Sequence, residues 1–239
     1  MGQSAVWVVG SRGEHEVFRA VLPHGVTPED LAGSCGWTTT RLTAVTGFAG
    51  GVGGASLTLR YAVSPALAAA DAASHVLHDP GLVVGAHERP EPVQRLATYA
   101  LVTSERGVLL TAYSDRTNAV GAWGFPGGGL DAGETALEAL HREVAEETGQ
   151  QIEVSGLLGV RCSRWVGRAP SGRLEDFQTI RVVYRATCPR PSIPVVRDVG
   201  GTTADARWVP VDEVGRMPFT TTWAAAWRDW GSAIAAAPA

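Results

Sequence analysis

The chain has 239 residues, 45% hydrophobic and 18% charged, which suffices for a sizeable core in one large or two modest domains and excludes a disordered chain. A formal net charge of −4 with no basic run excludes duplex nucleic acid as the main partner, because backbone binding needs many uncompensated cations. All 20 basic residues are arginine, which rules out a lysine Schiff base and a P-loop lysine.

In chain order, Val6 to Val9, Val17 to Leu22, Leu42 to Thr46 and Leu57 to Val63 are short β-branched and aromatic runs separated by Gly and Pro, and they predict strands. Between them, Thr27 followed by Pro28 predicts a helix start, with Thr27 as N-cap. The uncharged run from Leu42 to Leu59 is too rich in Thr, and too flexible at Gly50 to Gly54, to span a membrane; it predicts two strands around a glycine turn. Pro65 to His78 is alanine-rich and predicts a helix. The Pro-containing stretch Glu88 to Pro92 predicts a linker, dividing the chain into a β-rich domain (residues 1–88) and a second domain (89–239).

Beyond the linker, Ala97 to Thr103 and Val108 to Tyr113 predict paired strands, followed by a glycine loop and a helix from Glu134 to Thr148 closed by Gly149. Leu137, Leu140 and Val144 give that helix an apolar stripe. Ile152 to Val160, Phe177 to Thr187 and Arg207 to Val211 predict further strands, with a long mobile loop at 161–176 marked by Gly167, Pro170 and Gly172. Thr220 to Ala237 predicts a terminal helix whose Trp223, Trp227 and Trp230 share one face, as docked core rather than a dimer seam. The cysteines Cys35, Cys162 and Cys188 are far apart and form no C-x-x-C pair, which fits neither a zinc knuckle nor a disulfide framework and points to a reducing cytoplasm. The N-terminus carries no signal-peptide pattern. His75, His78 and His87 are expected as surface or core histidines rather than metal ligands.

The last turn of the central helix stands out. Glu143, Glu146 and Glu147 lie at i, i+3 and i+4, so like charges share a face at about 0.2–0.5 kcal/mol per pair. They also stand at the helix C-terminus, where the dipole disfavours each anion by about 0.3–1 kcal/mol. A hard cation reverses both penalties, and oxygen ligands suit Mg²⁺ shared with substrate phosphates. A solvated acidic face is the alternative reading of such a triplet taken alone.

The wider pattern decides between them. Gly128, Glu134, Arg142, Glu143, Val144, Glu146, Glu147 and Gly149 fit Gly-x5-Glu-x7-Arg-Glu-U-x-Glu-Glu-x-Gly-U, with U aliphatic. This resembles the Nudix box; the one departure is the final U, where Gln150 stands and Ile152 offers the apolar contact instead. The resemblance covers residues 94–215 and implies an α/β fold, a Nudix α/β/α sandwich with a mixed sheet, preceded here by the smaller β-rich domain. It also implies hydrolysis of a small-molecule nucleotide substrate, a nucleoside diphosphate linked to a further moiety, with Mg²⁺ or Mn²⁺. By that similarity Glu143, Glu146 and Glu147 bind metal together with the carbonyl of Gly127 or Gly128. Arg142 orients a glutamate and Glu134 partners Arg142. The general base is a box glutamate (Glu143 or Glu146) or a loop residue, for which Glu175 beside Asp176 is the candidate.

Arg161, Arg164 and Arg168 are candidate phosphate clamps and Trp165 a candidate base-stacking residue. Trp123 and Tyr113 are better explained as core. Gly127-x-Gly129-x-x-Ala132 fits a loose dinucleotide fingerprint, but Pro126 and the acidic last turn speak against it. A nucleotide sensor on the same fold is the rival function; its expected signature is loss of the glutamates, and all are present. No subfamily signature separates nucleoside triphosphates from ADP-ribose-like or NDP-sugar substrates. The β-rich region is expected to shape the substrate cleft or form a homodimer contact.

Overall fold

The computed structural model describes residues 5–49, 56–66, 76–79, 81–169, 171–198 and 200–232. The predicted glycine turn at 50–54, the alanine-rich stretch at 67–75 and the end of the C-terminal helix beyond 232 lie outside the described residues. The chain divides into two compact units: residues 1–97, 130–136 and 159–181 form one, and residues 98–129, 137–158 and 182–239 form the other.

The first unit holds a four-stranded sheet in the order β2-β1-β4-β3. Strands β1 (Ala5–Arg12) and β2 (His15–Val21) pair antiparallel, β4 (Ser56–Pro65) runs parallel to β1, and β3 (Trp37–Phe48) is antiparallel to β4. The alternating apolar pattern has its physical reason here: Val6, Val8, Leu57, Leu59 and Leu42 are buried, and each such side chain contributes about 1.5–3 kcal/mol on burial. Helix α1 (Pro28–Ser34) starts as predicted, with Pro28 in its first turn and the Thr27 hydroxyl accepting from the Asp30 N–H at 3.1 Å.

A second sheet has the order β12-β7-β6-β11-β10-β5, with β8 added on β7 and β9 on β6. Its members are β5 (Val76–His78), β6 (Glu91–Ser104), β7 (Gly107–Tyr113), β8 (Trp123–Gly124), β9 (Gly127–Gly129), β10 (Glu153–Arg168), β11 (Leu174–Thr187) and β12 (Thr203–Val209). The sheet is mixed: β6 with β7 and β7 with β12 are antiparallel, whereas β5 and β10 are parallel. With helices α2 (Ala136–Thr148), α3 (Val211–Val214) and α4 (Thr221–Trp230), this is the expected α/β architecture with an additional N-terminal sheet.

Four local expectations are corrected. Residues 161–176 are no loop, because β10 continues to Arg168 and β11 begins at Leu174. Gly167 lies within β10, and only Gly172 marks the hairpin tip, where the Ala169 N–H donates to Arg173 O at 2.9 Å and the Gly172 N–H to Ala169 O at 2.8 Å. Val76 to His78 is strand rather than helix, registered on Arg164 to Val166. The predicted linker ends inside β6, whose second residue, Pro92, sits where a missing N–H is tolerated. On α2 the buried face is Ala139, Leu140 and Val144, while Leu137 is 44% exposed.

The second unit's core contains Leu101, Leu110, Phe125, Val183 and Trp223, with Trp227 and Trp230 packed against it. The tryptophan stripe is therefore docked core, as its spacing predicted. Trp223 meets Tyr99 edge-on at 4.7 Å and donates its indole N–H to the Tyr113 hydroxyl at 2.8 Å. Trp123 is buried in the same cluster, so Tyr113 and Trp123 serve packing.

Candidate active site

Strand β9, the loop after it and the last two turns of α2 place the box residues. Leu140 and Val144 seat the helix through wholly buried side chains, and continuing that face by one turn brings Glu147 inward, where it is 7% exposed. Glu143 and Glu146 stand progressively further out, with side chains 17% and 48% exposed. Burial thus separates three carboxylates that the sequence pattern leaves equivalent.

Each carboxylate has a defined partner. The Arg142 guanidinium donates to Glu143 Oε1 at 2.9 Å, to Glu146 Oε2 at 3.2 Å and to the Gly129 carbonyl at 3.0 Å. It bridges the glutamates and ties β9 to the helix, a charge-assisted arrangement that offsets the repulsion within the acidic turn. Glu147 Oε2 accepts the Gly127 N–H at 2.8 Å and its other oxygen accepts the Thr203 hydroxyl. Burial pushes the Glu147 carboxyl up to about 7; the hydrogen bonds from Thr203 and Gly127 oppose that rise, and the charges of Glu143 and Asp198 add to it.

At Gly128 the main chain and the Glu143 carboxylate approach closely. A Cβ there would lie 2.4 Å from the carboxyl carbon of Glu143, so only glycine lets that carboxylate rest against the loop. At the helix end, Gly149 has a φ of 69°, the left-handed conformation expected of a glycine just past the last turn. The carbonyls left over at this end are satisfied by the segment before β12: the Arg197 and Asp198 N–H groups donate to Glu146 O at 2.8 and 3.2 Å, and the Val195 N–H to Thr148 O at 2.9 Å.

Three carboxylates and a backbone carbonyl are hard oxygen donors of the kind Mg²⁺ and Mn²⁺ take, and the close approach of the Glu143 carboxylate to the Gly128 backbone fits that use. Among the described residues no three His, Cys, Asp or Glu side chains stand close enough together to hold an ion; Arg142 engages Glu143 and Glu146, and Gly127 and Thr203 engage Glu147.

The sequence model of the NUDIX domain matches residues 93–230. The chain belongs to this family. Nucleoside triphosphatase NudI of Enterobacter sp. (strain 638) is 46% identical over 113 residues, covering 45% of this chain and 80% of that protein. RNA pyrophosphohydrolase of Helicobacter pylori (strain G27) is 57% identical over 42 residues, 17% of this chain, and the match spans 27% of its length. A MutT NUDIX hydrolase structure from Burkholderia pseudomallei is 25% identical, covering 57% of this chain and 97% of that one, with a TM-score of 0.44.

The departure from the Nudix box at Gln150 has a structural reason. Gln150 is 2% exposed; its amide nitrogen donates to Thr148 O at 3.1 Å and its oxygen accepts the Ser192 N–H at 2.9 Å. It fastens the end of the Nudix helix to the 189–198 segment by hydrogen bonds where the family pattern uses an aliphatic contact, and Ile152 is buried beside it in sequence.

The predicted substrate-binding residues and Glu175 lie in the other compact unit, on β10 and β11. Arg164 is held by Asp176 through two hydrogen bonds, at 2.7 and 2.5 Å, and the guanidinium keeps the Asp176 carboxyl below its ordinary range. Arg168 makes a two-pronged pair with Glu88, both distances 2.7 Å, and the Trp165 indole donates to Asp79 at 2.8 Å. Arg161 acts electrostatically on Glu29. Glu175 is buried and accepts from Arg173 at 3.1 Å. Glu134 accepts the Asp131 N–H at 2.7 Å. Sequence reasoning missed Thr203 and Asp198, two residues of the box helix's own unit that act on Glu147. No spacing rule links them to the box.

Proposed function

We propose that this chain hydrolyses a diphosphate linkage in a nucleoside diphosphate joined to a further moiety, using Mg²⁺ or Mn²⁺. The observation that carries the reading is the complete glutamate set held by Arg142 and by the Gly127–Gly129 strand, with Gly128 open to the Glu143 carboxylate. Glu143, Glu146, Glu147 and the Gly128 carbonyl are the residues that would hold the cation. When bound, a divalent cation neutralises diphosphate oxygens and lowers the pKa of the attacking water. Arg142 keeps Glu143 and Glu146 aligned, and the Gly127 N–H and Thr203 hydroxyl fix Glu147.

Nucleoside triphosphates are the first substrate class to test, because the relative covered over 80% of its length is named a nucleoside triphosphatase. For the base, Glu146 is the most exposed of the three glutamates, and Asp198, whose N–H meets Glu146 O, is a loop carboxylate of the same unit. Glu175 remains the candidate drawn from sequence. Arg161, Arg164, Trp165 and Arg168 are assigned to substrate on sequence grounds; Arg164 and Arg168 would have to exchange Asp176 and Glu88 for phosphate oxygens. The family match begins at residue 93, which supports keeping residues 1–88 as a separate domain in this proposal.

The test is hydrolysis by the full chain of nucleoside triphosphates, deoxynucleoside triphosphates, ADP-ribose and NDP-sugars, each with Mg²⁺, with Mn²⁺ and with chelator. Turnover that needs metal and falls at least about 100-fold in Glu146→Gln is expected. No turnover on any of them, with one nucleotide raising the melting temperature, overturns the enzyme in favour of a sensor.

A further inference from the structure

We propose that the second unit carries a separate anion site, on another side of the Nudix helix from the glutamates, which takes a phosphate monoester with an organic body. The site is a cleft of about 460 Å³ between the end of α2 and the 189–197 segment, with Arg190 and Arg197 on its wall. That volume falls in the range of small-molecule sites. It is distinct from the catalytic side: Ala145, which lines it, lies about 100° around the helix from Glu146 and about 160° from Glu143 and Glu147.

The chemistry of the lining points to the ligand. Neither the Arg190 nor the Arg197 guanidinium has an ion-pair or side-chain hydrogen-bond partner among the described residues, although acidic residues outnumber basic ones in the chain, 24 to 20. Arg197 lies along Gly149, its Nε 3.5 Å from where a Cβ would stand. The carbonyls at the end of α2 are already met by the backbone N–H groups of Val195, Arg197 and Asp198, so the guanidinium of Arg197 is not consumed in capping. Glu153 supplies one negative charge to the same lining, leaving one positive charge in excess and two planar forks suited to a dianion. Pro189 and Ile152 give an apolar wall and Gln151 a polar one. That combination suits a phosphate attached to an organic body better than bare phosphate.

The site is tested on the full chain, ¹⁵N-labelled and kept in chelator, titrated with AMP, with inorganic phosphate, or with sodium chloride at matched ionic strength. Saturating shifts of the Gly149, Gln151, Ser192 and Arg197 amides are expected with AMP, several-fold weaker binding with phosphate, and none with chloride. Arg190→Gln with Arg197→Gln should weaken AMP binding at these amides at least about tenfold. Arg190→Lys with Arg197→Lys, which keeps charge but loses the planar fork, should bind several-fold more weakly than the wild type and serves if Arg190→Gln with Arg197→Gln does not fold. Shifts confined to Gly127, Gly128 and Glu143 to Glu147, an equal response to chloride, or unchanged affinity in both arginine pairs would overturn the site. This outcome is independent of the hydrolysis assay, because it is read without metal and at other residues.

Discussion

Replacing Glu147 by Gln in the metal-free chain tests the most specific electrostatic consequence of the fold. The carboxyl is moved by burial from an ordinary value of 4.5 to about 7. Below pH 4.5 it is protonated in both the folded and unfolded chain and costs nothing. As pH rises from there, the unfolded chain ionises first, so stability is lost progressively until the folded group ionises at about 7, and the loss is then complete. At about 1.4 kcal/mol per pH unit the difference amounts to about 3 kcal/mol. The substituted amide has no such penalty and keeps both contacts, its oxygen accepting from the Gly127 N–H and its NH₂ donating to the Thr203 hydroxyl. In chelator, wild type and Glu147→Gln should melt within a degree or two of each other at pH 5. At pH 8 the variant should melt about 6–12 °C higher, taking about 2–4 °C per kcal/mol for a chain of this size. Adding Mn²⁺ at pH 8 should raise the wild-type melting temperature and leave the variant unmoved. A stability gap that is the same at pH 5 and pH 8, or a variant less stable at both, refutes the claim that Glu147 is a penalised buried anion.

Two further substitutions probe the close contacts around it. Gly128→Ala puts a methyl group 2.4 Å from the Glu143 carboxyl carbon; the flexible carboxylate yields, so the melting temperature should fall by only a few degrees while metal-dependent turnover falls at least about tenfold. Equal turnover would show that the approach of Glu143 to the loop is not used. Gln150→Leu restores the aliphatic residue of the family pattern yet leaves the Ser192 N–H without its acceptor; denaturant unfolding should show a loss of about 1–3 kcal/mol, and a gain would mean that the hydrogen-bonded clamp contributes nothing.

What could be read from the chain followed from local rules. The Thr27 cap, the Gly149 terminus and the tryptophan stripe are each fixed by two or three residues acting within one turn or one face, and they appear as read. The errors arose where pairing partners distant in sequence set the outcome. Residues 161–176 carry every local sign of a loop, but β10 gains a parallel neighbour at Val76 to His78, Gly167 lies within that strand, and Gly172 alone turns the hairpin tip. Leu137 shows the same limit on a helix: periodicity admits either Leu137 or Ala139 into the stripe, and the wholly buried Ala139 shows which one the fold selects.

The candidate site divides along the same line. Spacing alone places three glutamates at one end of α2 and predicts repulsion of similar size between Glu143 and each of the other two. The fold breaks that equivalence. Arg142, their neighbour on the same helix, bridges Glu143 and Glu146, a contact that spacing makes available. Glu147 is turned onto the buried face, where its partners are Gly127, 20 positions away, and Thr203, 56 positions away. Asp198 enters by the same route, because the segment that leads to Thr203 also supplies the N–H groups that the end of the helix lacks. One backbone requirement, satisfying the last carbonyls of α2, therefore brings a fourth carboxylate beside the acidic turn. It also sets Arg197 along Gly149 on another side of the helix, so the catalytic face and the proposed anion cleft share one structural support.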